Sequence, residues 1–389
     1  MLQFEFENPT RIVFGQGVEN TVGRETARHA SKVLLHFGGA SALKSGLLDR
    51  VRSSLTEAGV EYRELGGVQP NPRLSLVLEG MKICRDEKIP FILAVGGGSV
   101  IDSAKAIAAA VPYAGDPWDF WEYSASPETA LPVGVVLTIP AAGSETSGST
   151  VITNAEKELK RGLTSQLLRP RFALMNPELT MTLPAYQTAC GAADIMAHVM
   201  ERYFTNTRDV EFTDRLCEAT LKTVISNVPR ALENPQDYAA RAEIMWAGTI
   251  AHNDLLGTGR EQDWASHGIE HELSALYDIA HGAGLAIVFP SWMRRVYRHD
   301  PARFARFAHE VFAVEYDPFN IERTALEGIG RLESFFRRIG LPVRLSEAGI
   351  PADRIPEMAR KSTLKGGGMI GGFVKLDSAA VQSILEAAL

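Results

Sequence analysis

Short apolar runs alternate with helical segments in the first half of the chain. Residues 33–37, 91–95, 133–138 and 172–175 are almost entirely apolar, and glycine, proline or asparagine follows each run within two residues. Near-continuous apolar strands of this length are typical of a parallel sheet covered on both faces. Between the runs, apolar residues recur at helical spacing. The alternation therefore predicts a doubly wound α/β region.

The pattern changes near residue 180, after which strand-like runs almost vanish. Residues 185–204, 209–227, 238–256 and 301–314 all carry helical periodicity. Pro184 suits the first turn of a helix, with Thr182 as its cap. We therefore predict an α/β domain over residues 1–180 and an all-helical domain over residues 181–389.

Composition narrows the class of protein without identifying it. The 389 residues are 45% hydrophobic and 22% charged, which is ordinary for a globular chain and excludes disorder. Forty Lys and Arg against 47 Asp and Glu give a net charge of −7. This mildly acidic balance argues against nucleic acid as a partner, because phosphate binding needs a clustered basic surface.

Cysteine usage and local hydropathy bear on the compartment. Cys84, Cys190 and Cys217 are widely separated, so neither a disulfide framework nor a thiolate zinc site is indicated. The first 17 residues lack the pattern of a signal peptide. The longest uncharged run, residues 129–144, is too short to span a bilayer. We expect a cytoplasmic protein without a membrane partner.

A glycine-rich turn follows the second apolar run. Gly96, Gly97, Gly98 and Ser99 lie between a predicted strand and a predicted helix. Glycines allow close backbone approach, and the N–H groups that begin a helix favour an anion such as pyrophosphate. The stretch is not the GxGxxG fingerprint, and a tight turn without a ligand remains the alternative.

A second turn bears on the choice of cofactor. Gly38, Gly39 and Ser41 follow the first apolar run, and Lys44 lies close by. In many dinucleotide sites an acidic residue holds the ribose 2′-OH at this place. Small neutral residues favour a 2′-phosphate, hence NADP over NAD, although a plain turn is the alternative.

Ligand-type side chains cluster in the helical half. Asp194 and His198 are four residues apart, as are His267 and His271, so each pair projects from one helix face. His281 follows in a glycine-rich context. One carboxylate with neutral imidazoles suits Fe²⁺ or Zn²⁺. Spacing alone leaves open whether His267 or His271 binds the metal. Four other histidines are interpreted as structural: His29, His36, His299 and His309.

With these motifs the chain resembles the metal-dependent group III, or iron-containing, alcohol dehydrogenases. The subgroup it resembles is that of butanol dehydrogenases and broad-range NADPH-dependent aldehyde reductases. The resemblance covers nearly the whole chain. It rests on residues 8–15, 66–72 and 94–102 and, most specifically, on residues 263–282. It implies a dehydroquinate-synthase-like fold, in which a Rossmann-like parallel-sheet domain and a helical domain have the active site in the cleft between them.

The resemblance also implies site residues. The metal ligands would be Asp194, His198, His267 and His281, and His271 would lie next to the nicotinamide. The catalytic residues would be His271, Asp194 and His267. The implied cofactor-binding residues are Gly38, Gly39, Ser41, Asn71, Gly97, Gly98, Ser99, Asp102, Thr138, Lys160, Leu179 and Leu183. Relatives often have Thr-Gly-Ser-Glu where this chain has residues 141–145, AAGSE, so Ala141 and Ala142 are left out of the site.

The implied function is hydride transfer between NAD(P)H, with NADP(H) preferred, and a small aldehyde or primary alcohol of the butanol type. It would use one divalent metal in a homodimer. Water, the ribose or His271 would relay the proton. The alternatives are a metal- and NAD-dependent cyclase or polyol dehydrogenase on the same fold, a non-redox metallohydrolase, and a non-enzymatic metal-binding protein. A cyclase would need a basic pocket, and the sequence near the ligands is mostly apolar.

Overall fold

The computed structural model describes residues 1–39 and 45–389. These residues divide into two units, Glu7–Thr182 and Met1–Phe6 together with Leu183–Leu389. The sequence pattern grouped the first six residues with the α/β half. They belong to the helical unit instead, where the backbone N–H of Leu2 donates to the carbonyl oxygen of Gly259 at 2.8 Å.

A six-stranded parallel sheet organises the unit Glu7–Thr182. Its strand order is β1-β8-β5-β4-β2-β3, and every neighbouring pair is parallel. A separate antiparallel hairpin joins β6 to β7. The strands are β1 (Arg11–Phe14), β2 (Lys32–Gly38), β3 (Glu61–Val68), β4 (Ile92–Gly96), β5 (Val133–Leu137), β6 (Ser149–Asn154), β7 (Leu159–Thr164) and β8 (Phe172–Met175).

Among the residues that the structure describes, four α-helices alternate with these strands, as predicted for a doubly wound region. They are α1 (Val22–Ala27), α2 (Leu47–Glu57), α3 (Leu74–Asp86) and α4 (Gly98–Ala110). The four predicted apolar runs are β2, β4, β5 and β8, and their apolar side chains pack with α1 and α2 in a buried core. Sequence pattern alone missed β3, because its inner and outer residues alternate at the edge of the sheet.

Nine helices form the unit that contains Leu183–Leu389. They are α5 (Ala185–Tyr203), α6 (Glu211–Glu233), α7 (Tyr238–His252), α8 (Ala265–Tyr277), α9 (His281–Val296), α10 (Pro301–Phe312), α11 (Ile321–Arg338), α12 (Ile355–Thr363) and α13 (Ser378–Ala387). The helix α5 is buried along almost its whole length. Among the described residues, none of the helices combines the length and apolarity needed to cross a bilayer.

The helical unit also contains a short hairpin that the sequence pattern did not predict. The strands β9 (Met369–Ile370) and β10 (Leu376–Asp377) pair antiparallel. The turn between them is anchored because Asp263 Oδ1 accepts hydrogen bonds from the backbone N–H groups of Gly372 and Phe373, both at 2.8 Å. The hairpin is thus stabilised by a side chain distant in sequence, which is why the local sequence pattern did not predict it.

Candidate metal and cofactor sites

The helix α5 carries two of the predicted ligands on one face. Asp194 and His198 are one turn apart, and Nε2 of His198 lies 3.3 Å from Oδ1 of Asp194. Both side chains are buried. Burial, reinforced by the positive charge of neighbouring basic groups, lowers the pKa of His198 well below its usual value. Its imidazole is therefore neutral, which is the form that binds a metal.

Two further imidazoles reach the same carboxylate oxygen from other helices. Nε2 of His267, on α8, lies 3.9 Å from Asp194 Oδ1, and Nε2 of His281, the first residue of α9, lies 3.8 Å away. The donor atoms of Asp194, His267 and His281 all lie within 4.8 Å of one another. These two separations exceed hydrogen-bond length. Metal–ligand distances near 2.1 Å would put neighbouring tetrahedral donors about 3.4 Å apart, so the spacing fits a shared cation.

A glycine allows α9 to approach α5 at this place. A Cβ added to Gly282 would lie 1.9 Å from the carbonyl oxygen of Cys190, one turn before Asp194. Any side chain at position 282 would therefore push the two helices apart. The close approach brings His281 to Asp194.

The second nitrogen of each imidazole also has a partner, and the sequence analysis did not identify these partners. His267 Nδ1 lies 2.8 Å from Glu201 Oε1, and His281 Nδ1 contacts Glu270. His198 Nδ1 lies 2.7 Å from Nδ1 of a further histidine, His252. Glu201 and Glu270 are fully buried. A carboxylate on the far nitrogen of a ligating histidine is a common arrangement in metal sites, so Asp194, His267 and His281 fit a divalent metal. His198 contacts Asp194 but lies outside the group of donor atoms that are all within 4.8 Å of one another.

His271 lies beside this cluster, on the side of His281. Its ring centroid is 5.7 Å from that of His281, and its donor atom groups with those of Glu270 and His281 within 4.8 Å. The side chain of His281 is 24% exposed, whereas those of Asp194 and His267 are 7% exposed. The cluster is therefore most open near His281 and His271.

In the α/β unit, the predicted glycine turn lies at the carboxyl end of β4. Gly97 precedes α4, whose first turn has no side-chain cap. A Cβ on Gly97 would lie 2.9 Å from Cβ of Ile139, whereas a Cβ on Gly98 would meet only Ala142, at 3.7 Å. The uncapped N-terminus of a 13-residue helix after a glycine turn fits a pyrophosphate.

The carboxyl ends of neighbouring parallel strands bring other predicted residues to one edge of the sheet. Gly38 ends β2, Gly97 follows β4, and Thr138 follows β5, with its N–H donating to the carbonyl oxygen of Gly96 at 3.0 Å. These three strands are adjacent in the sheet. Ligands of open α/β sheets bind at this edge.

The other predicted cofactor residues are more scattered. Ser41 lies outside the described residues. Asn71 is buried and has a positive φ of 52°, and Lys160 is buried in β7. Leu179 is half-buried in a short 3₁₀ helix, and Leu183 belongs to the helical unit.

Asp102, predicted to hold the pyrophosphate, bonds to protein groups. It accepts from Ser144 Oγ at 2.5 Å and from the backbone N–H of Val151 at 2.9 Å. Lys105, one turn later on α4, donates to Ser144 Oγ at 3.0 Å and to the carbonyl oxygen of Ser149 at 2.9 Å. Burial lowers the pKa of Lys105 to about 8. Together the two side chains fix the segment between β5 and β6 onto α4.

Comparison with known proteins gives consistent matches over the chain. The family model described as iron-containing alcohol dehydrogenase matches residues 9–177, and that of the C-terminal domain of the Fe-containing alcohol dehydrogenase family matches residues 188–389. The probable NADH-dependent butanol dehydrogenase 1 of Bacillus subtilis is 43% identical, with 100% of both chains covered. The NADPH-dependent aldehyde reductase YqhD of Escherichia coli is 38% identical, with 93% of both covered.

A solved structure matches as well. The NADH-dependent butanol dehydrogenase A of Thermotoga maritima superposes with a TM-score of 0.96 at 43% identity, covering 100% of this chain and 99% of that one. The fold expected from the resemblance, a dehydroquinate-synthase-like pairing of a parallel-sheet domain with a helical domain, is confirmed.

Proposed function

Because the chain belongs to the iron-containing alcohol dehydrogenase family and is an NAD(P)-dependent oxidoreductase of alcohols and aldehydes, we propose a substrate class for it. We also propose its metal site and its cofactor preference. The substrates are small aldehydes and primary alcohols of the butanol type. The observation that carries the proposal is the arrangement of three imidazole Nε2 atoms around Oδ1 of Asp194, at 3.3, 3.9 and 3.8 Å.

We assign the metal ligands as Asp194, His198, His267 and His281. The set has one carboxylate and three imidazoles, which suits Fe²⁺ or Zn²⁺ equally well. A divalent ion there would act as a Lewis acid on the substrate oxygen, while the nicotinamide would exchange hydride with the substrate carbon. The contacts to Glu201, Glu270 and His252 hold the imidazole rings in orientation.

We assign the cofactor's pyrophosphate to the N-terminus of α4, at Gly97, Gly98 and Ser99. The support is the uncapped helix start after a glycine turn. In this assignment Asp102 acts indirectly, because its carboxylate is bonded to Ser144 and Val151. Six further residues are assigned to the adenosine and nicotinamide ends: Gly38, Gly39, Asn71, Thr138, Lys160 and Ser41. Leu179 and Leu183 would add apolar contacts.

His271 is the protein group that we assign to proton transfer. It lies beside His281, at the more exposed side of the cluster. An imidazole there would hold or release a proton at the oxygen of the substrate, either directly or through water. Asp194 and His267 would contribute to catalysis by holding the metal.

The proposed function is tested by adding butyraldehyde to the protein with NADPH and, in parallel, with NADH. We expect the absorbance of the reduced cofactor to fall, and to fall faster with NADPH, because Gly38 and Gly39 present no carboxylate to repel a 2′-phosphate. Faster oxidation of NADH would overturn the preference alone. Oxidation of neither cofactor by butyraldehyde would overturn the proposed substrate class.

We further propose that the protein is a cytoplasmic homodimer. Its three cysteines are unpaired and buried, which suits a reducing compartment. Sedimentation equilibrium would test the assembly, with twice the chain mass of 42.4 kDa as the expected result.

A further inference from the structure

Glu201 links the two proposed metal ligands of α5 to the start of α8. It lies seven residues after Asp194 and three after His198, and its side chain is fully buried. Its Oε2 accepts a hydrogen bond from the backbone N–H of Trp264 at 2.8 Å. Its Oε1 accepts from the backbone N–H of His267 at 3.0 Å and faces His267 Nδ1 at 2.8 Å.

The beginning of α8 needs such acceptors. The first N–H groups of a helix have no partners within the helix, and a side chain at the N-cap usually accepts from one of them. Here the N-cap is Trp264, which offers no acceptor and has a φ of 66°. Asp263 Oδ2 accepts from Ala265 N–H at 3.1 Å. Glu201, on a different helix, accepts from the N–H groups of Trp264 and His267.

The same carboxylate decides which nitrogen of His267 faces Asp194. A carboxylate oxygen only accepts, so the contact at Nδ1 places the proton of the neutral imidazole on that nitrogen. Nε2 then carries the lone pair and points to Asp194 Oδ1. Backbone and ring of His267 are held by one oxygen atom, so its position follows that of α5.

We propose that Glu201 is a positioning residue for the metal site. It holds the start of α8 against α5 and orients His267 so that Nε2 is the metal-binding nitrogen. This inference rests on the proposed metal site. The contacts of Glu201 are all made within the protein, so they would hold His267 in place before a metal binds.

The test compares Zn²⁺ affinity in metal-stripped protein, measured by competition with a chromophoric chelator, among four forms. They are the wild type, Glu201→Gln, Glu201→Ala and Glu218→Gln. Glu218 is the matched control, because it is a buried glutamate of the same unit whose partners are Tyr203 and Arg306, not the proposed ligands. The Tm of each stripped protein is recorded alongside.

We expect the Kd for Zn²⁺ to rise about tenfold in Glu201→Gln and about a hundredfold in Glu201→Ala, the range typical of partners of ligating histidines. Glu218→Gln should lower Tm and leave the Kd as in the wild type. A wild-type Kd in Glu201→Gln, or an equal loss of affinity in Glu218→Gln, would overturn the inference alone. A wild type that binds no metal would overturn the proposed metal site and, with it, this inference.

Discussion

The two units of the chain bring their candidate functional groups together by opposite means. In the α/β unit, the turn after β4 offers backbone N–H groups, while two charged side chains of α4, Asp102 and Lys105, are bonded within the protein. In the helical unit, side chains from three helices converge on Asp194, and the backbone serves only to bring them there.

This difference predicts opposite sensitivities to substitution. A site built from backbone is damaged by an added Cβ, because the ligand or the neighbouring chain occupies that space. A site built from side chains is damaged by removing one, because each donor atom is fixed by partners of its own. Single substitutions in each unit test this difference.

The largest effect is expected for His267→Ala. Removing this donor should abolish bound metal and lower kcat/KM at least about a thousandfold, since Lewis-acid polarisation supplies several kcal/mol. Metal analysis and turnover measure both effects, and NADPH binding should persist. His299→Ala, whose Nε2 contacts Asn206 outside the cluster, is the control and should behave as the wild type. Retained metal and activity in His267→Ala would refute the ligand assignment.

Gly282→Ala tests whether the helical site depends on close backbone approach as well. The new Cβ would lie 1.9 Å from the carbonyl oxygen of Cys190, so we expect the free energy of unfolding to fall by about 3 kcal/mol or more. Urea denaturation measures this loss. The matched Gly330→Ala, in the helix α11 with open space around it, should instead stabilise the protein by about 0.4–1 kcal/mol. Equal stability of the two variants would contradict the close approach.

His36 can be compared with the histidines of the proposed metal site, because it is a buried imidazole of the α/β unit whose two ring nitrogens both contact protein groups. Its Nδ1 contacts the carbonyl oxygen of Leu65 and its Nε2 the hydroxyl of Ser103, both at 2.9 Å. Burial lowers the pKa of His36 to about 4. Between pH 6.5 and 4 the unfolded chain therefore binds a proton that the folded chain does not, and stability falls as the pH falls.

Between pH 6.5 and 4, the titration of His36 should lower the free energy of unfolding by about 3 kcal/mol, at 1.36 kcal/mol per pKa unit. Denaturation curves of the wild type and His36→Asn at several pH values give their free energies of unfolding. The part of the difference between the two proteins that changes with pH is the contribution of His36. A difference that is constant from pH 7 to pH 4 would show that His36 titrates normally in the folded protein.

The smallest effect concerns the glycine turn. Gly98→Ala should leave Tm unchanged, because its Cβ would meet only Ala142 at 3.7 Å. The Kd for NADPH should nevertheless rise about tenfold, because the added methyl would lie where we propose that the pyrophosphate binds, at the helix N-terminus. Calorimetric titration measures the affinity. Metal content should stay unchanged, and an unaltered Kd for NADPH would argue against the pyrophosphate assignment.

Much of the fold was predictable because the central strands are apolar on both faces. The strands β2, β4, β5 and β8 were visible as continuous runs, and their helices as periodic segments. The hairpin of β6 and β7 was not, because its strands carry polar residues such as Thr150 and Lys160 that are buried by tertiary contacts. The short hairpin after α12 depends on Asp263, more than a hundred residues away.

The candidate site was predictable only where its residues share a helix face. Asp194 and His198 are such a pair. His267 and His271 have the same spacing, so sequence alone could not say which of them faces Asp194; the Nε2 atom of His267 does. Glu201 sits at helical spacing from His198, yet its relation to His267 arises from the packing of α5 against α8.

In the proposed function, side chains of the helical unit hold a divalent metal on which turnover depends. The most direct measurement is metal content, determined on protein purified without chelator, together with NADPH-dependent butyraldehyde reduction before and after stripping. We expect a single iron or zinc ion per chain, loss of turnover when it is removed, and recovery when it is restored. Full turnover by protein that contains no metal would contradict the proposed function.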